Sequence, residues 1–149
     1  MAHVRTQIRD LLATRVTGLE TCGDRVFKNR VKPLPQTSLP AINVMSGDEQ
    51  MQVLSQGVTR RLGRVMQVHF DLIADADSDG AADTLDTIAA EIEAVMVEGA
   101  WSSALIFSIS PVSLTESYDG EGRKVIAQAR LTYEVEYHTA EGSAGSVLA

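Results

Sequence analysis

Val125-Ile126-Ala127-Gln128-Ala129-Arg130-Leu131-Thr132-Tyr133-Glu134-Val135-Glu136-Tyr137 alternates along its whole length. Val125, Ala127, Ala129, Leu131, Tyr133, Val135 and Tyr137 share one face; Gln128, Arg130, Thr132, Glu134 and Glu136 share the other. Successive strand side chains point to opposite faces, so this period specifies a strand with one face on a core and one in water. Such a strand needs neighbours, and the rest of the chain supplies them. Residues 64–74 keep the same period, with Met66, Val68, Phe70 and Leu72 on one face and Gln67, His69 and Asp71 on the other. Leu105, Phe107 and Ile109 alternate with serines until Pro111, which suits a bulge or an edge position, and Val112-Ser113-Leu114-Thr115-Glu116 continues beyond it. Asp119-Gly120-Glu121-Gly122 is turn chemistry and predicts a hairpin into the last strand.

Toward the N-terminus, Ala41-Ile42-Asn43-Val44-Met45 reads as a buried strand and Asp24-Arg25-Val26-Phe27-Lys28 as a short one. Pro33, Pro35 and Pro40 between them exclude helix interior and central strand, because each fixes φ and removes a donor. Two segments carry the helical period instead. Residues 2–16 place Val4, Ile8, Leu11, Leu12 and Val16 on one stripe, with Arg15 inside it, and Thr17-Gly18 ends the helix. Residues 81–98 place Ala81, Leu85, Ile88, Ile92, Val95 and Met96 on one stripe, closed by Gly99. The expected fold is α+β: a mixed, mostly antiparallel sheet of about four to five strands with two helices packed on one face. One domain is expected over residues 1–139, followed by a flexible tail, rich in Gly, Ser and Ala, over residues 140–149.

Residues 47–60 show no clear period and read as a long loop. Ordering it costs roughly 14–28 kcal/mol in backbone entropy, which on the order of 600–1,100 Å² of apolar burial would offset. Met51, Val53, Leu54 and Val58 are too few to supply that within one subunit. The loop is therefore expected to order against a partner, or to form a hairpin arm at its ends; a plain solvated loop is the alternative. Arg60, Arg61 and Arg64 form a basic cluster at its junction with the next strand, suited to an acidic patch on a neighbouring subunit, to phosphates, or to solvent alone.

Chemistry-bearing patterns are sparse. Asp75-Ala76-Asp77-Ser78-Asp79-Gly80 matches the start of a calcium-binding loop, making Asp75, Asp77 and Asp79 weak metal candidates. Position twelve is the shorter Asp86, and the preceding element reads as a strand, so a polar strand-to-helix turn is the plainer reading. His3, His69 and His138 lie far apart, without a second ligand at metal spacing. His69 and Asp71 share a strand face, where acid–base work and a solvated surface both fit. No nucleophile elbow, phosphate loop or dinucleotide fingerprint occurs, so no catalytic residue and no cofactor are expected. Cys22 is a lone thiol, expected to be inert.

The 149 residues, 44% of them hydrophobic, suffice for a core without staples. Thirteen basic residues against 20 acidic ones, net −7, argue against DNA binding as the main task. Arg5, Arg9, Asp10 and Arg15 interrupt any signal-like run, and no stretch reaches the ~20 apolar residues of a membrane span, so a cytoplasmic setting, or a particle assembled there, is expected.

From Val4 to Tyr137 the chain resembles the tail terminator family (minor tail protein U type) of long-tailed phages. The resemblance rests on an opening helix, Arg25-Val26-Phe27, and Leu39-Pro40-Ala41-Ile42-Asn43-Val44 before a glycine and acidic residues. It continues through Gln67-Val68-His69-Phe70-Asp71-Leu72-Ile73 and Leu131-Thr132-Tyr133-Glu134-Val135-Glu136-Tyr137. It implies an α+β subunit of a homo-oligomeric, hexameric ring in the virion, built in the host bacterial cytoplasm. Such a ring caps the tail tube, stops its elongation and joins the head; its partners are the tail tube protein and a head–tail connector, and DNA passes through without specific binding. Another neck or tail ring, such as a head–tail joining protein, is the alternative, with a small calcium-binding module or a small hydrolase-like enzyme as readings from other classes.

Overall fold

The structure, a computed structural model, describes residues 2–75, 80–97, 103–119 and 126–148. In chain order it runs α1 (Val4–Val16), β1 (Val26–Lys28), a 3-10 turn (Gln36–Ser38), β2 (Ala41–Val53), β3 (Arg61–Asp75), α2 (Ala81–Val95), β4 (Ser108–Asp119) and β5 (Ile126–Ala140). The strands form one sheet in the order β1-β2-β3-β5-β4; β1 pairs parallel with β2, and every other pairing is antiparallel. This is the α+β domain expected from the two hydrophobic periods.

The two long alternating strands lie side by side at the centre. Phe70 opposes Leu131 and Leu72 opposes Ala129, so the apolar faces of β3 and β5 coincide. Met66, Val68, Phe70, Leu72, Leu131, Tyr133 and Val135 are buried there with Val4, Ile8, Leu12 and Val16 of α1 and Leu85, Ile88 and Ile92 of α2. Phe70 and Tyr133 meet edge to face, ring centres 5.8 Å apart. Both helices thus cover one face of the sheet and leave the other open. His3 caps α1, its Nδ1 accepting from Arg5 N at 3.0 Å, and Arg15 Nε donates to Val95 O, a carbonyl in the last turn of α2. No helix among the described residues is long and apolar enough to cross a membrane.

Residues 47–60 take the hairpin-arm form that the sequence allowed beside a partner-ordered or plainly solvated loop. Instead of a loop, β2 runs on to Val53 and β3 begins at Arg61, so the two strands extend together as a hairpin arm, paired from Glu49↔Met66 to Val53↔Leu62. Backbone ladder bonds offset part of the ordering cost that side-chain burial alone did not meet. A register shift between Ser46 and Glu49 marks a bulge at the base of the arm. Smaller differences follow local chemistry. Leu105 and Phe107 precede β4 instead of alternating within it, and Pro111 adjoins a second register shift, on an edge strand as its missing N–H requires. Gly99, Val125 and the 120–122 turn lie outside the described residues. After β5 the chain turns at residues 140–143 and runs back beside α1, where Ala144 O accepts from Val4 N at 2.8 Å. Leu148 N donates to His138 O at 2.9 Å.

Candidate assembly surface

The arm carries four of the residues singled out in the sequence. Met51 and Val53 oppose Arg64 and Leu62, which places them on the helix-side face beyond the reach of the helices, 60% and 38% exposed. Leu54 takes the other face and folds over Gly63, where an added Cβ would lie 2.9 Å from Leu54 Cδ1. Gly57, at φ 133°, provides the backbone conformation the tip requires. Beside it Val58 is fully exposed. A hairpin whose apolar side chains are covered only in part within the subunit is a contact element by the usual meaning of exposed apolar surface.

The three arginines separate. Arg60 makes a bidentate pair with Glu141 at 2.5 and 2.8 Å on the surface, and that pairing raises the arginine's pKa and lowers the carboxyl's. Arg61 reaches His138, Nη2 to Nδ1 at 3.0 Å. Arg64, expected at an open junction, is buried and turned inward. Its Nε donates to Thr139 Oγ1 at 2.9 Å, and its Nη1 meets Glu49 Oε2 at 3.1 Å.

Glu49 is the centre of a polar cluster that the sequence reading missed. Its carboxylate also accepts from the Tyr137 hydroxyl at 2.5 Å and faces Arg5 Nη1 at 3.5 Å, while Arg5 Nη2 donates to Gly47 O at 2.7 Å. Burial, then the Glu49 carboxylate, pushes the Tyr137 hydroxyl well above the ordinary phenol range. The cluster joins α1, β2, β3 and β5 at the root of the arm and fixes how the arm leaves the domain. The bulge puts Glu49 there: the extra residue moves Glu49, Met51 and Val53 onto the face that Asp48 and Gln50 would otherwise take.

The open face of the sheet holds paired polar groups. Arg130 makes a bidentate contact with Asp71 at 2.7 and 3.0 Å, and His69 Nδ1 lies 2.9 Å from Thr132 Oγ1. The imagined His69–Asp71 couple is therefore divided between two other partners. Burial, then the Arg130 charge, lowers the His69 pKa. Phe107 stacks on His138, ring centres 4.6 Å apart, and stays 66% exposed. A shallow depression of about 360 Å³ beside the arm is lined by Gln50, Gln52, Gly63, Val65 and Glu136, among others, without a nucleophile and base in contact.

Asp75 ends β3, whereas Asp77 and Asp79 lie outside the described residues. Among the described residues no group of three or more His, Cys, Asp and Glu side chains is placed to hold a metal. Cys22 is 1% exposed, and burial pushes its thiol up to about 11, beyond what the neighbouring Arg25 offsets.

Strand β4 is an edge strand, one of the two positions that Pro111 allowed it. Val112 and Leu114 are 48% and 42% exposed on it, and no described strand pairs with its outer side.

No protein-family model matches the chain, and no curated protein matches it by sequence. A chain from the virion of a native gene transfer agent particle is similar in structure, with a TM-score of 0.52 and 19% identity over 92% of each chain. At that identity the likeness is one of fold, and it extends over almost the whole domain.

Proposed function

We propose that this chain is a virion structural protein of a phage-type particle: a subunit of the ring that caps the tail tube, stops its elongation and offers the head-joining surface. The observation that carries this reading is the hairpin arm, held at its root by the buried Glu49 cluster while Met51, Val53, Leu54 and Val58 stay exposed in whole or in part. A closed ring needs a heterologous interface, in which one patch meets a different patch on the next subunit. A projecting apolar arm fits one side of such a contact. The resemblance to tail terminators and the fold shared with a chain of a gene transfer agent virion support the same class. In this reading the partners are further copies of the chain, six as in the family it resembles, together with the tail tube protein and a head–tail connector. A net charge of −7 suits a ring that DNA crosses without being held.

Another ring of the neck, such as a head–tail joining protein, is the second reading, since a fold shared with a virion chain does not specify a position along the tail. Gold labelling of a tagged copy on intact particles tests both. Label at the head-proximal end of the tube is expected; label spread along the tube or absent from the particle would contradict the ring reading.

A further inference from the structure

We infer that, in the ring just proposed, the free edge of β4 in one subunit pairs antiparallel with the free edge of the β2 arm in the next, so that the sheet continues from copy to copy.

Both edges are open among the described strands. β1 covers β2 only from Ile42 to Val44. It ends where Asn29, at φ 48°, turns the chain away, its N donating to Val44 O and its Oδ1 accepting from Ser46 N. Beyond that point no described strand lies outside the arm half of β2. At the opposite end of the sheet the 12 residues of β4 pair with β5 alone. Exposed edges are commonly blunted by lysine, proline or a bulge; neither stretch contains lysine, and beyond the bulge at Pro111 residues 113–119 of β4 pair regularly with β5 and leave a straight outer edge.

The side chains match across such a joint. On the helix-side face the arm offers Met51 and Val53, and β4 offers Leu114, which opposes Leu131, followed on that face by the exposed Glu116. On the open face the arm offers Gln50 and Gln52, and β4 offers Ser113, Thr115 and Ser117. Leu114 can therefore meet Met51 or Val53, with Glu116 toward the solvent end, and on the other face neutral hydrogen-bonding groups meet their own kind.

Strand direction agrees as well. From β2 through β3 and β5 to β4 each step is antiparallel, so β4 runs opposite to β2. A rotation about an axis lying along the strands preserves direction, so β4 of one copy meets β2 of the next in the antiparallel sense. It also keeps the helices of every copy on the same side of the continued sheet. Seven to eight residues at about 3.4 Å each give a ladder of roughly 25 Å, a full strand's length. The second copy is thus the occupant that the chain's own edges specify.

The test uses the full chain with Cys22→Ala, carrying Met51→Cys, Leu114→Cys, or one of each mixed, together with a bismaleimide whose spacer of about 10 Å covers diagonal neighbours in a ladder. Assembled at tail tips, the mixed sample is expected to give Met51–Leu114 cross-links between subunits. Val112→Lys with Leu114→Lys is expected to keep the far-UV spectrum and lose more than tenfold in ring yield. Cross-linking of Leu114→Cys to itself alone, the mark of a two-fold joint, would overturn the pairing. So would rings that form normally with both lysines in place, and that result would leave the ring reading standing. A chain that stays monomeric at tail tips would sink the ring reading and this inference together.

Discussion

Arg64 and Glu49 form an ion pair inside the subunit, Nη1 to Oε2 at 3.1 Å, with side chains 7% and 5% exposed. An arginine that the sequence places beside a flexible junction is instead an internal strut. Truncating one partner leaves the other charge buried and uncompensated, which typically costs about 3–5 kcal/mol. Glu49→Ala is therefore expected to lower the urea midpoint sharply, and Arg64→Met to do the same. A double-mutant cycle checks the pairing: full additivity of the two losses would contradict it.

Arg60 and Glu141 form an equally well-shaped pair at the surface, and it is expected to matter little for stability. Water and salt screen exposed ions. Arg60→Ala should leave the unfolding midpoint within experimental scatter. A loss comparable to that of Glu49→Ala would show the pair to be structural.

Val58 touches nothing that covers it, so Val58→Asp is expected to change folding stability by less than about 0.5 kcal/mol. Assembly should respond strongly, because a carboxylate at the arm tip would need to be desolvated at each contact. Sedimentation measures assembly and urea unfolding measures stability; a variant that loses stability but keeps assembling would contradict the assignment of the arm.

His69 makes stability depend on pH in a defined direction. Its folded pKa is lowered, first by burial and then by Arg130, so the unfolded chain binds the proton more readily. Its contribution is complete above the ordinary imidazole value of about 6.5 and is lost as pH falls through that value toward the lower folded one. Urea midpoints between pH 7.5 and 5.5 should fall less steeply in His69→Gln than in the parent. Parallel slopes would show that His69 does not carry the effect.

Cys22 is expected to resist alkylation while the protein is folded. With its thiol raised from 9.0 to about 11, the thiolate fraction at pH 8 drops by about a hundredfold, before its burial is counted. Iodoacetamide should label it only in denaturant; rapid labelling of the native chain would contradict the burial.

These relationships also mark how far the sequence could be read. The alternations around Phe70 and Tyr133 identified the central strands and their inward faces, because one buried face fixes a strand's register. The stripes through Ile8 and Ile88 did the same for the helices. The arm could be named only as one of several outcomes because the extra residue at Gly47-Asp48 interrupts the period, and Gln50 and Gln52 offer none of the β-branched or aromatic content that announces a strand. Glu49, Met51 and Val53 do alternate once the bulge is known. Arg64 looked like part of a cluster because sequence proximity to Arg60 and Arg61 says nothing about facing, although period two already put it on the face of Met66, Val68 and Phe70; the Glu49 partner is what the sequence did not show. The exposed apolar residues of the arm were recognisable from the outset, since four such side chains cannot fill a core by themselves.

The central proposition is that this chain ends a tube by forming a ring on it. The most direct measurement is the distribution of tail lengths, by electron microscopy, in particles made without the chain. The account predicts tails of uncontrolled length that carry no heads, restored to uniform length when the intact chain is supplied. Tails of normal length joined to filled heads in its absence would contradict it.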